Sequence, residues 1–169
     1  MLKVTMIFFE AILSGIWATF FMDSLAKILS KRGIIYPFIS SEAMGRWFLY
    51  MCKGKFAHTD INRARALNNE NAWYYLSHYL IGIILAACFL VLATQIQYLR
   101  DNVWTTLFYG LFTVAFSWFW LLPSIGLGIM ASKSAKRIRI LKTNLINHLN
   151  FGVGLCAWML IFHRFFIQL

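Results

Sequence analysis

The chain has 169 residues, of which 60% are hydrophobic and 13% are charged, a composition that excludes an ordinary soluble domain. Four runs of about 20 or more mainly apolar residues predict an all-α polytopic membrane protein, because each run is long enough to cross a hydrocarbon core of about 30 Å. The net charge of +10 would suit nucleic acid, but most basic residues lie in two loops between apolar runs, so we expect no nucleic-acid partner.

The predicted architecture is a single membrane domain over residues 1–169, with four transmembrane helices in an antiparallel bundle and a short amphipathic helix in the first cytoplasmic loop. Little of the chain is left for a separate soluble domain. We place the spans at residues 5–30, 73–98, 103–131 and 143–166, and the cytoplasmic loops at residues 31–72 and 132–142.

The first span carries an acidic residue at the end of a stripe of small side chains. Gly15, Thr19 and Asp23 recur at every fourth position and therefore share one face of a helix. Because small residues let helix backbones approach closely, we expect this face to pack inward, with Gly15 as a helix-packing residue.

A second acidic residue, Glu10, lies on a different face of the first span, near its outer end. We expect Glu10 to be hydrated at the membrane interface, where a charged group keeps its water. The alternative is a partner from the outer end of the last span, where His163 and Arg164 lie.

The connection over residues 31–72 contains a predicted surface helix. Ser40 and Ser41 are residue types that cap helices, and apolar residues then recur at helical spacing. These apolar residues are Met44, Trp47, Phe48 and Met51. With basic residues nearby, the pattern indicates an amphipathic helix at the inner interface. For the following segment, His58 to Asp60, we expect a solvated loop; the alternative is a loop folded over the polar layer described below.

The second and third spans place polar residues near their inner ends. In the second span, His78 is followed four residues later by Gly82, which predicts a second packing face. In the third span, Pro123 removes a backbone donor, so we expect a kink there, beside Ser124.

The fourth span repeats the arrangement of the second. Asn144 and His148 precede Gly152 on one helix face, and we expect Gly152 to pack against a neighbouring helix. The two cytoplasmic loops hold twelve basic residues, against three on the opposite side. This positive-inside bias predicts that both termini face away from the cytoplasm, while the loops meet anionic lipid headgroups.

The three ionisable residues should lie at one depth. Because successive spans cross in opposite directions, Asp23, His78 and His148 are each expected about 7–10 Å inside the cytoplasmic boundary. Such groups are costly in a bilayer and usually face a partner or a cavity, so we predict a polar layer. The layer also includes Thr19, Ser124 and Asn144. The alternative is that the stripes serve helix packing alone.

Six motifs run through the chain: Gly15-x-x-Ala18-Thr19-x-x-Met22-Asp23, Gly45-Arg46, Gly54-Lys55-Phe56-x-His58-x-Asp60, His78-Tyr79-x-x-Gly82, Pro123-x-x-Gly126-x-Gly128-x-x-Ala131-Ser132 and His148-x-x-Phe151-Gly152-x-Gly154-Leu155. Together they resemble a family of small bacterial membrane proteins known only as a domain of unknown function. The resemblance implies a four-span protein of the bacterial inner membrane, and it implies no activity. In that membrane, the termini that the charge bias places away from the cytoplasm would be periplasmic. The bulky run Phe116–Trp120 counts against a wide central pore.

The favoured function is a small transport or permeation protein whose polar layer binds a proton or cation. Metal or haem binding is the alternative, because Asp23, His78 and His148 are plausible ligands. A third possibility is a partner subunit without catalytic activity. An enzyme is the least supported class, since the chain lacks a nucleophile elbow, an H-E-x-x-H motif and a phosphate loop. Besides the bilayer, we expect a second copy of the chain or another membrane protein as partner.

Overall fold

The structure is a computed structural model that describes residues 2–163, apart from the side chains of residues 2–4 and of Arg100. Every regular element in this range is a helix. The α-helices are α1 (Leu2–Lys31), α2 (Ser41–Cys52), α3 (Glu70–Gln95), α4 (Gln97–Asp101), α5 (Thr105–Phe116), α6 (Leu122–Ser124) and α7 (Arg137–Ile161).

Four helical stretches are long and apolar enough to cross a membrane, which confirms the predicted all-α class and the predicted number of spans. They are Thr5–Lys31, Glu70–Gln95, Thr105–Ser124 and Arg137–Ile161. Each is at least 20 residues long, enough for a hydrocarbon core of about 30 Å. The chain is therefore a membrane protein with four candidate spans.

The third candidate span ends at Ser124, whereas the sequence pattern extends to residue 131, and Pro123 disturbs the helix just before this end. The turn before the proline, Ser117–Leu121, is π-helical, and the Leu122 N–H donates to the Ser117 carbonyl five residues back. A proline has no N–H to donate to the carbonyl one turn back, so the regular helical hydrogen bonds are interrupted in the turn before it.

Beyond Ser124 the backbone turns through two glycines with positive φ, Gly126 at 101° and Gly128 at 75°. Residues with a side chain rarely adopt this conformation. Gly126 also lies directly against the backbone of Thr59 and Asp60, so a Cβ atom there would collide with it. The glycine therefore serves both the turn and the close contact.

The contacts divide the chain into two compact units. The bundle unit comprises the described residues of Met1–Ile28, Tyr79–Thr113 and Asn147–Leu169, and the α2 unit comprises Leu29–His78 and Val114–Ile146. Each of the four candidate spans contributes residues to both units.

The bundle unit is a ring of four helices held by close contacts between neighbours. Glycines let three pairs of backbones approach, and a tyrosine hydroxyl joins the fourth pair. The contacts are Gly15 with Ile83, Tyr109 Oη with the Leu85 carbonyl at 2.7 Å, Gly110 with Gly152, and Gly154 with Ala18. The buried apolar residues between these helices are Ala18, Ala86, Phe89, Phe151 and Leu155.

The α2 unit is built around the predicted amphipathic helix, which the structure confirms as α2. The Ser40 hydroxyl caps it by accepting the Ala43 N–H at 3.2 Å. Ala43 and Trp47 of this helix join a buried core, and Met44, Phe48 and Met51 pack against it. The other core residues are Ile61, Leu122, Ile125, Ala131 and Ile140. The position of α2 at a membrane surface stays a prediction.

Candidate functional site

Glu10 is a buried carboxylate inside the first candidate span, with only 3% of its surface exposed. Its Oε1 accepts the Trp158 Nε1–H at 3.2 Å and lies 2.6 Å from His163 Nδ1. The prediction that Glu10 is hydrated is therefore wrong, and the alternative partner, His163, is confirmed. Arg164, the other alternative, lies outside the described residues.

Packed aromatic rings lie beside this pair, because Trp158, which donates to Glu10, also contacts Phe162. The ring centroid of Phe162 lies 4.8 Å from that of Trp158 and 5.9 Å from that of Trp17. Such apolar neighbours lower the local dielectric, which strengthens a satisfied hydrogen bond and makes an unpaired charge costly. A carboxylate and an imidazole held at 2.6 Å can exchange a proton, because each donates in one protonation state and accepts in the other.

His148 has a defined tautomer in the bundle unit. Its Nδ1 lies 2.8 Å from Thr113 Oγ1, and the same hydroxyl donates to the Gly110 carbonyl at 2.6 Å. A threonine hydroxyl carries one proton, which is used on that carbonyl, so Oγ1 accepts from the His148 Nδ1–H. In the neutral ring, Nε2 is then the nitrogen of His148 that carries no hydrogen.

Asp23 lies at the same level of the bundle as His148. The helices α1 and α7 run antiparallel, with Ala18 against Gly154. From that contact, Asp23 lies five residues along α1 and His148 six residues back along α7, or about 8 and 9 Å at the helical rise. An acid and a histidine therefore stand at one level at this end of the bundle, as Glu10 and His163 do at the other.

The small residues of the predicted stripes lie at helix contacts. A Cβ atom on Gly15 would overlap the backbone of Ile83, and one on Gly82 would overlap the Thr19 hydroxyl. A Cβ atom on Gly152 would press against the Thr106 carbonyl at 2.7 Å. Thr19, which we predicted in the polar layer, is buried and donates to the Gly15 carbonyl of its own helix at 2.8 Å.

Asn144 ties α7 to the π-helical turn of the third span within the α2 unit. Its Oδ1 accepts the Ser117 hydroxyl at 2.9 Å, and its Nδ2 donates to the Ile140 carbonyl at 3.2 Å. Both side chains are buried. The amide thus supplies hydrogen bonds at the point where Pro123 disturbs the helix.

The other predicted layer residues of the α2 unit have local contacts. The Ser124 hydroxyl donates to the Leu121 carbonyl at 2.8 Å, and the His78 ring stacks on Tyr74 with centroids 5.2 Å apart. Asp23, Thr19 and His148 thus belong to the bundle unit, and His78, Ser124 and Asn144 to the α2 unit. The convergence of Asp23, His78 and His148 stays a prediction.

The described part of the chain gives no support to the predicted metal ligands Asp23, His78 and His148. Among residues 2–163, no three His, Cys, Asp or Glu side chains form a group that could hold a metal ion.

An ion pair of the α2 unit was missed by the sequence analysis. Arg46 donates to Glu70 through Nε at 2.6 Å and through Nη2 at 2.9 Å, and both side chains are largely buried. These hydrogen bonds raise the pKa of the Arg46 guanidinium above its usual value. The pair joins α2 to the first residue of α3.

The His58 segment is docked onto the end of α6, so the predicted solvated loop is wrong for His58 itself. The His58 N–H donates to the Ser124 carbonyl at 2.8 Å, and the Ile61 N–H donates to the Ile125 carbonyl at 3.1 Å. The His58 side chain is 9% exposed, and its Nε2 has no hydrogen-bond partner among the described residues. Burial, followed by the charge of Lys55, lowers the pKa of His58 below its usual value.

We expect this lowered pKa to make folding sensitive to acid. Below about pH 6.5 the unfolded chain protonates His58 while the folded chain resists it, so stability falls as the pH drops and levels off below the folded pKa. Thermal-unfolding midpoints in detergent, measured between pH 8 and pH 5, would show this fall. The variant His58→Phe keeps a ring beside Tyr50 and should have a flatter profile; an equal profile would contradict the role of His58.

The chain matches a family model over most of its length. A family model described as "Protein of unknown function (DUF2938)" matches residues 12–162, which is most of the chain. No curated protein and no solved structure matches it. The site is therefore interpreted from its own residues.

Proposed function

We propose that this chain, which belongs to the DUF2938 family of proteins of unknown function, is a small membrane transport protein that binds and moves a proton or a cation. The observation that carries the proposal is the buried contact between Glu10 and His163, at 2.6 Å. An ionisable residue buried inside a candidate membrane span is costly, and it is the default candidate for function there.

Both ends of the bundle unit carry an acid and a histidine, and this favours a transport function over a role in helix packing alone. Glu10 and Asp23 lie thirteen residues apart on α1, or about 20 Å along the helix. Each is at the level of a histidine, His163 and His148 respectively. Groups that can exchange protons at both ends of a membrane bundle are what a proton-coupled carrier requires.

The proposed orientation follows from the basic loops. With the loops in the cytoplasm of a bacterial inner membrane, both termini lie in the periplasm. Glu10 and His163 then belong to the outer half of the membrane, and Asp23 and His148 to the inner half. We also propose a homodimer or larger assembly, because four helices alone rarely enclose a sizeable pathway.

Proteoliposomes test the function directly. The purified chain is placed in vesicles that contain a pH-sensitive dye, and a potassium gradient with valinomycin drives proton entry. We expect flux above that of protein-free vesicles, and a fall to the protein-free level for Glu10→Gln and for His163→Ala, since either change removes one partner of the exchange.

The matched control is Glu42→Gln, which makes the same chemical change at an exposed carboxylate of α2. This variant should keep the wild-type flux. The same vesicles with sodium- and potassium-sensitive dyes test cation movement. The proposal is wrong if no ion moves faster than in protein-free vesicles, or if folded Glu10→Gln transports as the wild type does.

A further inference from the structure

The α2 unit contains an open groove of about 530 Å³ between the C-terminal half of α2 and the segment that leads into α3. Tyr50 of α2 and Lys53, the residue that follows α2, line it on one side, and Arg65 lines it from the opposite segment. None of its lining residues is acidic, and the Lys53 and Arg65 side chains are both exposed. The groove therefore presents two cations without a neutralising carboxylate in its wall.

The walls of the groove are fixed by hydrogen bonds. The Tyr50 hydroxyl donates to the Arg65 carbonyl at 3.0 Å, and the Leu67 N–H donates to the Glu70 carboxylate at 2.7 Å. The same carboxylate is held by Arg46. Because Glu70 is engaged in this way, it fixes the segment without offering a free negative charge to the groove. A preformed site loses less entropy when it binds a ligand.

The position of the groove indicates the ligand. Arg65 and Leu67 lie just before Glu70, where the second candidate membrane span begins. This is the level at which a helix enters the bilayer and where the phosphates of lipid headgroups lie. Leu49 and Leu67 add apolar surface to the lining, which suits the glycerol and upper acyl part of a lipid.

We propose that this groove binds an anionic phosphate group, carried by a phospholipid headgroup or by a soluble phosphate compound. Lys53 and Arg65 supply the charge, and the forked guanidinium of Arg65 fits two phosphate oxygens. The site is independent of the Glu10–His163 pair and of any transport activity, since it needs only the α2 unit and a membrane surface.

Native mass spectrometry of the full chain in a neutral detergent tests the site. Phosphatidylglycerol should be retained on the wild type, and phosphatidylcholine should be retained much less. The double variant Lys53→Gln/Arg65→Gln should bind phosphatidylglycerol more weakly by on the order of tenfold. Both residues are exposed, so the thermal-unfolding midpoint should not change.

Arg63→Gln is the matched control, because Arg63 is an exposed cation of the same loop that does not line the groove. It should retain the lipid as the wild type does. Inorganic phosphate and glycerol phosphate separate the two sources: displacement of the lipid at millimolar concentration assigns the site to soluble phosphate, and no displacement assigns it to lipid. Equal lipid retention by the wild type and the double variant would overturn the proposal.

Discussion

Replacement of Arg46 by methionine should destabilise the fold by about 3–5 kcal/mol, the cost of breaking a buried ion pair from one side. The Glu70 carboxylate, 8% exposed, would lose two charge-assisted hydrogen bonds at 2.6 and 2.9 Å. Arg46 Nη1 also donates to three backbone carbonyls at 3.2–3.3 Å, which would lose this donor. These carbonyls belong to Ile61, Asn62 and Ala64.

The measurement is unfolding of the purified chain in mixed detergent and SDS micelles, followed by helix content. The double variant Arg46→Met/Glu70→Leu removes both charges and should recover part of the loss, because no carboxylate is then left unpaired. Arg63→Gln breaks a surface pair with Asp60 at 3.4 Å and should cost about 0–1 kcal/mol. A loss for Arg46→Met no larger than that of Arg63→Gln would contradict the prediction.

Local patterns predicted the elements of this fold well. The apolar runs predicted four candidate spans because length and hydropathy are properties of the segment itself. The spacing from Met44 to Met51 predicted α2, because the apolar face of a helix repeats in sequence. Pro123 predicted a disturbed third span through its missing N–H.

Contacts between distant segments could not be predicted in the same way. Glu10 was expected in water because it lies near a helix end, yet its partners follow from the register of α1 against α7, which no single segment encodes. Arg46 entered the sequence analysis as a basic loop residue and as part of the Gly45-Arg46 motif, but its contact with Glu70, 24 positions away, was not predicted. The sequence did contain a signal for this ion pair. Glu70 is a single acid at the start of an apolar span, where an unpaired charge is costly, so a nearby cation could have been expected.

The end of the third span shows the same limit. Because apolar residues continue to position 131, the third span was predicted to end there. The two positive-φ glycines, Gly126 and Gly128, end the regular helix earlier. Their conformation depends on the docked segment that contributes Thr59 and Asp60. The boundary is therefore a tertiary feature, and hydropathy alone does not mark it.

Addition of one methyl group at a glycine of the bundle unit should be costly, by about 1–3 kcal/mol of unfolding free energy. A Cβ atom on Gly82 would overlap the Thr19 hydroxyl, which belongs to a side chain. A Cβ atom on Gly110 would lie 2.6 Å from the His148 carbonyl oxygen and would also press against the Gly152 backbone. These are backbone atoms, so no substitution can remove them. Both Gly82→Ala and Gly110→Ala should therefore lower the thermal-unfolding midpoint in detergent.

A second substitution distinguishes overlap with a side chain, expected for Gly82→Ala, from overlap with the backbone, expected for Gly110→Ala. Thr19→Ala removes the hydroxyl that the new methyl group of Gly82→Ala would overlap. The double variant should therefore lose about 1 kcal/mol less unfolding free energy than the sum of the two single losses. The same Thr19→Ala change added to Gly110→Ala relieves nothing, and its losses should add. The Gly110→Ala variant also pushes α5 from α7 and should weaken the Thr113–His148 hydrogen bond, visible as a changed histidine NMR shift. Additive losses in the Gly82 double variant would show that Thr19 does not set the spacing of α1 and α3.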